Sequence, residues 1–154
     1  MAKGLIEAFK LLWKAKAFPN VTTTEWRSLL GRLPIRECFN RRGVALESTL
    51  CVLCQDKIKS YQHLFGIWCG FVCVCVWALC YKWIGILFVQ HNDLKSHFES
   101  FFLTQASNKQ NMVWKGIWAA IVRCIWEHRN SVVFKQGVVD AEEVFQKAQL
   151  KLWL

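Results

Sequence analysis

The sequence predicts a mostly α fold: a small helical domain organised around a Cys-x2-Cys turn, with additional C-terminal helices. Three observations predict it. Apolar residues recur at helical rather than alternating spacing along most of the chain. Cap and stop residues divide that pattern into short segments. Two Pro and eight Gly in 154 residues leave little material for a turn-dense sandwich. A hydrophobic content of 54% against 20% charged residues excludes a disordered or collagen-like chain and supplies apolar surface for one core.

The elements follow in order. Leu5, Phe9, Leu12 and Trp13 share one face of an amphipathic helix over 5–16, which Pro19 ends. Thr22 and Glu25 have capping-box spacing and open a second helix that carries Trp26, Leu29, Leu30 and Leu33. Pro34 suits the start of a short third helix, closed by Gly43. Residues 44–50 read as extended, and Cys51-Val52-Leu53-Cys54 as a tight turn. Ser60 caps a helix running through Trp68, and another covers 71–84 with Gly85 past its end. Asp93 caps a Phe-rich stretch over 94–104, and 104–111 reads as a polar loop. Trp114, Ile117, Trp118, Ile121, Val122, Ile125 and Trp126 then give the clearest helix of the chain. Residues 131–134 read as a strand, and Asp140 caps a last helix bearing Val144, Phe145, Ala148 and Leu152. The chain divides into a domain over 12–90 and a helical extension over 91–154.

Eight cysteines are unusual for this length. Lys3, Glu7, Lys10, Lys14 and Lys16 interrupt any apolar core of a secretory signal, so an intracellular setting, nucleus or cytoplasm, is expected. There, cysteines are metal ligands or buried thiols rather than a disulfide framework. Cys51-x2-Cys54-x8-His63-x5-Cys69 supplies three thiolates and one imidazole. Zinc takes four such ligands at tetrahedral corners, and four protein ligands leave no open position for water. The spacing therefore predicts a structural Zn²⁺ site, with Cys73 also within reach of the fourth corner. A thioredoxin-like redox role for Cys51 and Cys54 lacks the βαβ context it needs.

With these segments in view, the chain resembles the zinc-binding domain that follows the polymerase in plant non-LTR (LINE-type) retrotransposon reverse transcriptases. The residues that carry the resemblance span about 12–134. They are Leu12-Trp13-Lys14 with Pro19, Glu25-Trp26-Arg27, Arg32-Leu33-Pro34, Asn40-Arg41-Arg42-Gly43, the Cys51–Cys54 pair, His63-Leu64-Phe65, Val76-Trp77, Trp83 with Gly85, and Ile125-Trp126-Glu127-His128-Arg129-Asn130 with Phe134. Here five residues separate His63 from Cys69, where the family usually has four, and Ile35 replaces a Thr that would cap a helix. The resemblance implies a zinc-stabilised, non-catalytic accessory module, a fragment of a reverse-transcriptase-like polyprotein that helps hold nucleic acid.

The charge pattern is compatible with RNA or DNA as partner. The formal net charge is +9, and the first sixty residues hold eleven of the twenty Lys and Arg but five of the eleven acids. Arg27, Arg36, Arg41 and Arg42 are the candidate phosphate contacts. Asp56, Asp93 and Asp140 are the only aspartates and none pairs with another, whereas polymerase and RNase H chemistry needs clustered carboxylates for two metal ions. No small-molecule substrate is expected. His91, His97 and His128 read as surface residues, and Trp26, Trp77, Trp118 and Trp126 as core. The alternative is a single-pass membrane protein with its hydrophobic helix at about 64–89. Leu64–Tyr81 is eighteen residues without a charge. Lys82 near the middle of the longer stretch opposes that reading, at about 2.5–3.5 kcal/mol at the bilayer centre.

Overall fold

The computed structural model describes residues 19–45, 48, 50–55, 61–65, 70–87, 91 and 93–153. The expected helix over 5–16 lies outside them. The described elements are helices: α1 (Pro19–Leu29), α2 (Arg36–Arg41), α3 (Tyr61–Phe65), α4 (Gly70–Ile84), α5 (Leu94–Ser100), α6 (Asn108–Lys135) and α7 (Ala141–Trp153). The mostly α expectation holds.

Helix α6 is the post against which the others stand. Its 28 residues bury Ile117, Trp118, Ile121, Val122, Ile125 and Trp126 along one stripe. Helices α1, α4 and α7 all pack on it, and α7 also packs on α4. Val144, Phe145 and Ala148 of α7 are buried as the periodicity requires, and the partly exposed Trp83 of α4 meets the Phe145 ring in a T-shaped contact with centroids 5.9 Å apart. A polar chain ties three helices on the same side. Thr24 of α1 accepts from Arg123 of α6. Arg123 Nε donates to Glu127 at 2.7 Å, and Lys151 of α7 reaches Glu127 at 3.0 Å. Burial pushes the Glu127 carboxyl up, but the hydrogen bonds from Arg123 and Lys151 outweigh it and bring the net shift below the usual value.

Several boundaries differ from the sequence expectation. Pro19 begins α1, because a first-turn residue needs no N–H for the helix ladder. Thr22 is therefore inside α1, not its cap, and the helix stops at Leu29, with Gly31 in a left-handed turn. The α2 cap position is Ile35, which makes no side-chain capping bond but is fully buried. Core burial there replaces the polar cap. The helix after Asp93 ends at Ser100, not at 104, although Asp93 does accept from Ser96 N at 2.8 Å. The polar segment 104–111 is a loop only as far as Ser107. Ser107 and Gln110 form a reciprocal capping box that starts α6 four residues earlier. Residues 131–134 are helical, and the described part of 44–50 contains only an isolated bridge residue, Leu50.

Helix α4 is fifteen residues, about 22 Å at 1.5 Å per residue, against a bilayer core of roughly 30 Å. Val72, Cys73, Val76, Trp77 and Cys80 are buried while Val74, Ala78 and Lys82 are exposed, so its apolar face is spent on the core. Among the described residues no helix is long and apolar enough to cross a membrane.

Two histidines expected at the surface are buried: His97 and His128, at 2% and 5% exposure. His91 is exposed. His97 joins three elements. Trp118 Nε1 donates to its Nδ1 at 2.9 Å, and its Nε2 lies 2.7 Å from the Tyr81 hydroxyl. An indole N–H can only donate, so Nδ1 is bare and Nε2 carries the proton of a neutral ring. The Trp77 ring sits edge-on to the imidazole at 4.5 Å. Burial first, then the charges of His91 and Lys115, push the His97 pKa down to about 3. Lys115 itself is buried and donates to the carbonyls of Phe98 and Glu99 near the end of α5.

The pH consequence has a definite sign. His97 stays neutral in the fold but charges in the unfolded chain near pH 6.5, so its contribution is complete above that value and is lost as pH falls toward 3. His97→Phe should flatten that part of the acid-denaturation profile. At pH 7 it should cost roughly 2–4 kcal/mol, since it strands the Trp118 N–H and the Tyr81 hydroxyl. Urea unfolding at a series of pH values checks both.

Candidate metal centre

The Cys51–Cys54 turn is closed by the Gln55 N–H, which donates to the Cys51 carbonyl at 2.8 Å while Gln55 adopts a left-handed φ of 55°. Its approach is held from outside. Arg36 of α2 donates from Nη1 to the carbonyls of Ser48 and Leu50 at 3.1 and 3.3 Å. Cys51 and Leu53 point into the core and Cys54 is half-buried.

The histidine arrives on α3, a single helical turn that cannot be stable on its own. Leu64 and Phe65 anchor it in the core at 0% and 1% exposure. Its final carbonyls are satisfied by α4: the Cys73 thiol donates to Leu64 O at 2.9 Å, and Trp77 Nε1 donates to Phe65 O at 3.1 Å. With α3 fixed this way, His63 is 4% exposed and its Nε2 lies 3.1 Å from Cys54 Sγ.

Cys51, Cys54 and His63 thus present three ligand atoms within 4.8 Å of one another, the one such grouping among the described residues. Ligand atoms on a tetrahedral zinc of ordinary bond lengths stand roughly 3.6–3.8 Å apart. The three donors therefore fit with modest side-chain adjustment, and two sulfurs with an imidazole are the donor types zinc selects. Cys69 lies outside the described residues. Cys73 is not in the grouping; its thiol is used on the α3 carbonyl instead. The other buried thiols are poor ligands as they stand. Burial pushes Cys80 up to about 12 and Cys124 up to about 11, so both remain protonated at neutral pH.

The four candidate arginines separate into two kinds. Arg36 is part of the metal-centre scaffold through its carbonyl contacts. Arg27 is exposed and borders a cleft of about 260 Å³ with Thr23, Thr24, Leu33, Pro34, Arg123 and Trp126. Arg41 and Arg42 border a second cleft of about 240 Å³, together with Arg32 and the exposed Phe39. Leu33 and Pro34 line both clefts, so five guanidinium groups border two hollows that share one wall. Sequence reasoning omitted Arg32 and Arg123 from this set. Arg32 lies between Arg27 and Arg36 in the sequence. Arg123 is distant in sequence and becomes a neighbour only through the packing of α1 on α6.

The geometry generates a test. Cys54→Ser should abolish zinc retention and lower helicity, because α3 then loses the partner its His63 faces. Cys124→Ser should leave the metal content unchanged. Elemental analysis and circular dichroism of the purified variants distinguish the two.

Residues 2–77 fit the family described as zinc-binding in reverse transcriptase. No curated protein and no solved structure matches the chain.

Proposed function

We propose that the 2–77 segment, a member of the family of zinc-binding domains in reverse transcriptase, acts here as a non-catalytic module that binds one structural Zn²⁺ and holds nucleic acid against its basic clefts. The observation that carries the reading is the convergence of Cys51, Cys54 and His63, three ligands from two separate elements inside that segment. Cys69 is the proposed fourth ligand, six residues beyond His63. Once closed, such a site supplies no chemistry. It contributes folding free energy, on the order of 10 kcal/mol for small zinc modules. What the chain's own residues then do is hold a rigid basic surface.

Arg27, Arg32, Arg41 and Arg42 are the proposed phosphate contacts, with Arg36 contributing indirectly through the backbone it supports. Guanidinium groups around shallow clefts fix a phosphate backbone without reading sequence. Phe39, exposed beside Arg41 and Arg42, offers a face on which an unpaired base can stack. These features favour single-stranded RNA or DNA over a duplex. The retroelement origin implied by the sequence motifs belongs to this proposal as well.

Binding of a fluorescent oligonucleotide across a salt series tests the interface. Arg41→Gln with Arg42→Gln should reduce the slope of log K against log[salt] by roughly 0.7 for each single-strand phosphate left without its guanidinium partner. Metal content should not change. An unaltered slope contradicts the assignment of these residues.

A further inference from the structure

The hollow beside Arg27 takes its walls from both halves of the chain. Thr23, Thr24 and Arg27 come from α1, Leu33 and Pro34 from the segment after it, and Arg123 and Trp126 from α6. Helix α6 lies wholly beyond the 2–77 family segment. Arg123 and Trp126 are three residues apart and so share one face of it. The Arg123 side chain is 25% exposed and is fixed at two points. Its Nε donates to Glu127 Oε1 at 2.7 Å, and its Nη1 donates to the Thr24 hydroxyl. Glu127 also takes Lys151 at 3.0 Å. Two cations therefore share one carboxylate, and this wall keeps a net positive charge.

The two hollows that meet at Leu33 and Pro34 offer different surfaces. The one bordered by Arg32, Arg41 and Arg42 includes the exposed Phe39. In the other the aromatic is Trp126, which is 8% exposed and has the Arg129 guanidinium 5.1 Å from its ring. That hollow is lined by two threonines and two arginines without an open stacking face, which suits sugar and phosphate rather than a base. A strand leaving the first hollow over the exposed Pro34 enters the second. A guanidinium already held in place loses less side-chain freedom when it meets a phosphate, and its charge-assisted bond is of the strong kind.

We propose that the nucleic-acid interface is composite. One single strand crosses the Leu33–Pro34 wall, with a base at Phe39 and its backbone continuing into the Arg27 hollow. There Arg123 of α6 is a further phosphate contact, positioned by Thr24 and Glu127. The inference rests on the nucleic-acid reading above. It adds a path for the strand and a contact residue on a helix outside the family segment.

The test uses the full chain and a fluorescent single-stranded oligonucleotide of mixed sequence, titrated across a salt series, with the Tm of every variant recorded. Arg123→Gln should weaken binding about fivefold and lower the slope of log K against log[salt] by roughly 0.7. Arg123→Lys keeps the charge and should hold the slope within about 0.2 of the parent. Glu127→Gln removes an acid from beside the phosphate, so it should tighten binding about twofold or more even as it loosens the helix tie and lowers Tm. A residue that only ties α1 to α6 cannot give those opposite signs. Glu143→Gln makes the same charge change on α7, at a residue that borders neither hollow, and should gain less than half as much. One oligonucleotide should bind per chain. An unchanged slope in Arg123→Gln, weaker binding in Glu127→Gln, an equal gain in Glu143→Gln, or two oligonucleotides per chain would each overturn the inference. Glu127→Gln carries the test if Arg123→Gln fails to fold. Failure of the parent to bind any oligonucleotide would instead sink the nucleic-acid reading on which the inference stands.

Discussion

The seating of α3 governs the geometry of the metal centre. A five-residue helix has no stability of its own, and two α4 side chains fix it by taking up its last carbonyls. That anchoring places His63 against Cys54 and turns an isolated Cys-x2-Cys turn into three converging ligands. Cys73 and Trp77 thus support the grouping through the α3 carbonyls, although neither belongs to it. The apolar run that contains them suggests a membrane span when read for hydropathy alone. In the fold it is a one-sided core helix whose buried face also supplies the hydrogen bonds that a short neighbouring helix lacks.

The C-terminal helices are structurally joined to the family segment. Helix α6 contributes the buried stripe on which α1, α4 and α7 rest, and its polar edge links Thr24 to Lys151 through Arg123 and Glu127. The His97 network brings α4, α5 and α6 together around one neutral imidazole. These contacts are directional and buried, so they specify one arrangement of helices that apolar packing alone would leave degenerate. The stable frame they provide keeps the guanidinium groups beside Leu33 and Pro34 on one side of the molecule.

Much of this was legible in the sequence, for definite reasons. Helical periodicity from Trp114 to Trp126 identified the central helix, and Asp93, Asp140 and Gly85 marked real boundaries, because caps and left-handed turns are local chemistry. The pairing of Cys51 and Cys54 with His63 was legible because ligand type and spacing are strong constraints. What failed depended on longer range or on competing local signals. The Ser107–Gln110 box was hidden in a segment whose polar composition resembles a loop. Thr22 and Glu25 had cap spacing, but Pro19 had already opened the helix. Nothing near His97 or His128 in sequence reveals that Trp118 or the Asp140 amide will satisfy each ring in the interior.

The composition of the metal shell is the most direct test of the central claim. Zinc K-edge X-ray absorption on the purified full chain reads it without any variant. The account predicts three sulfurs at about 2.3 Å and one nitrogen at about 2.0 Å. A shell dominated by oxygen, or zinc bound through scattered histidines with no sulfur, would contradict it.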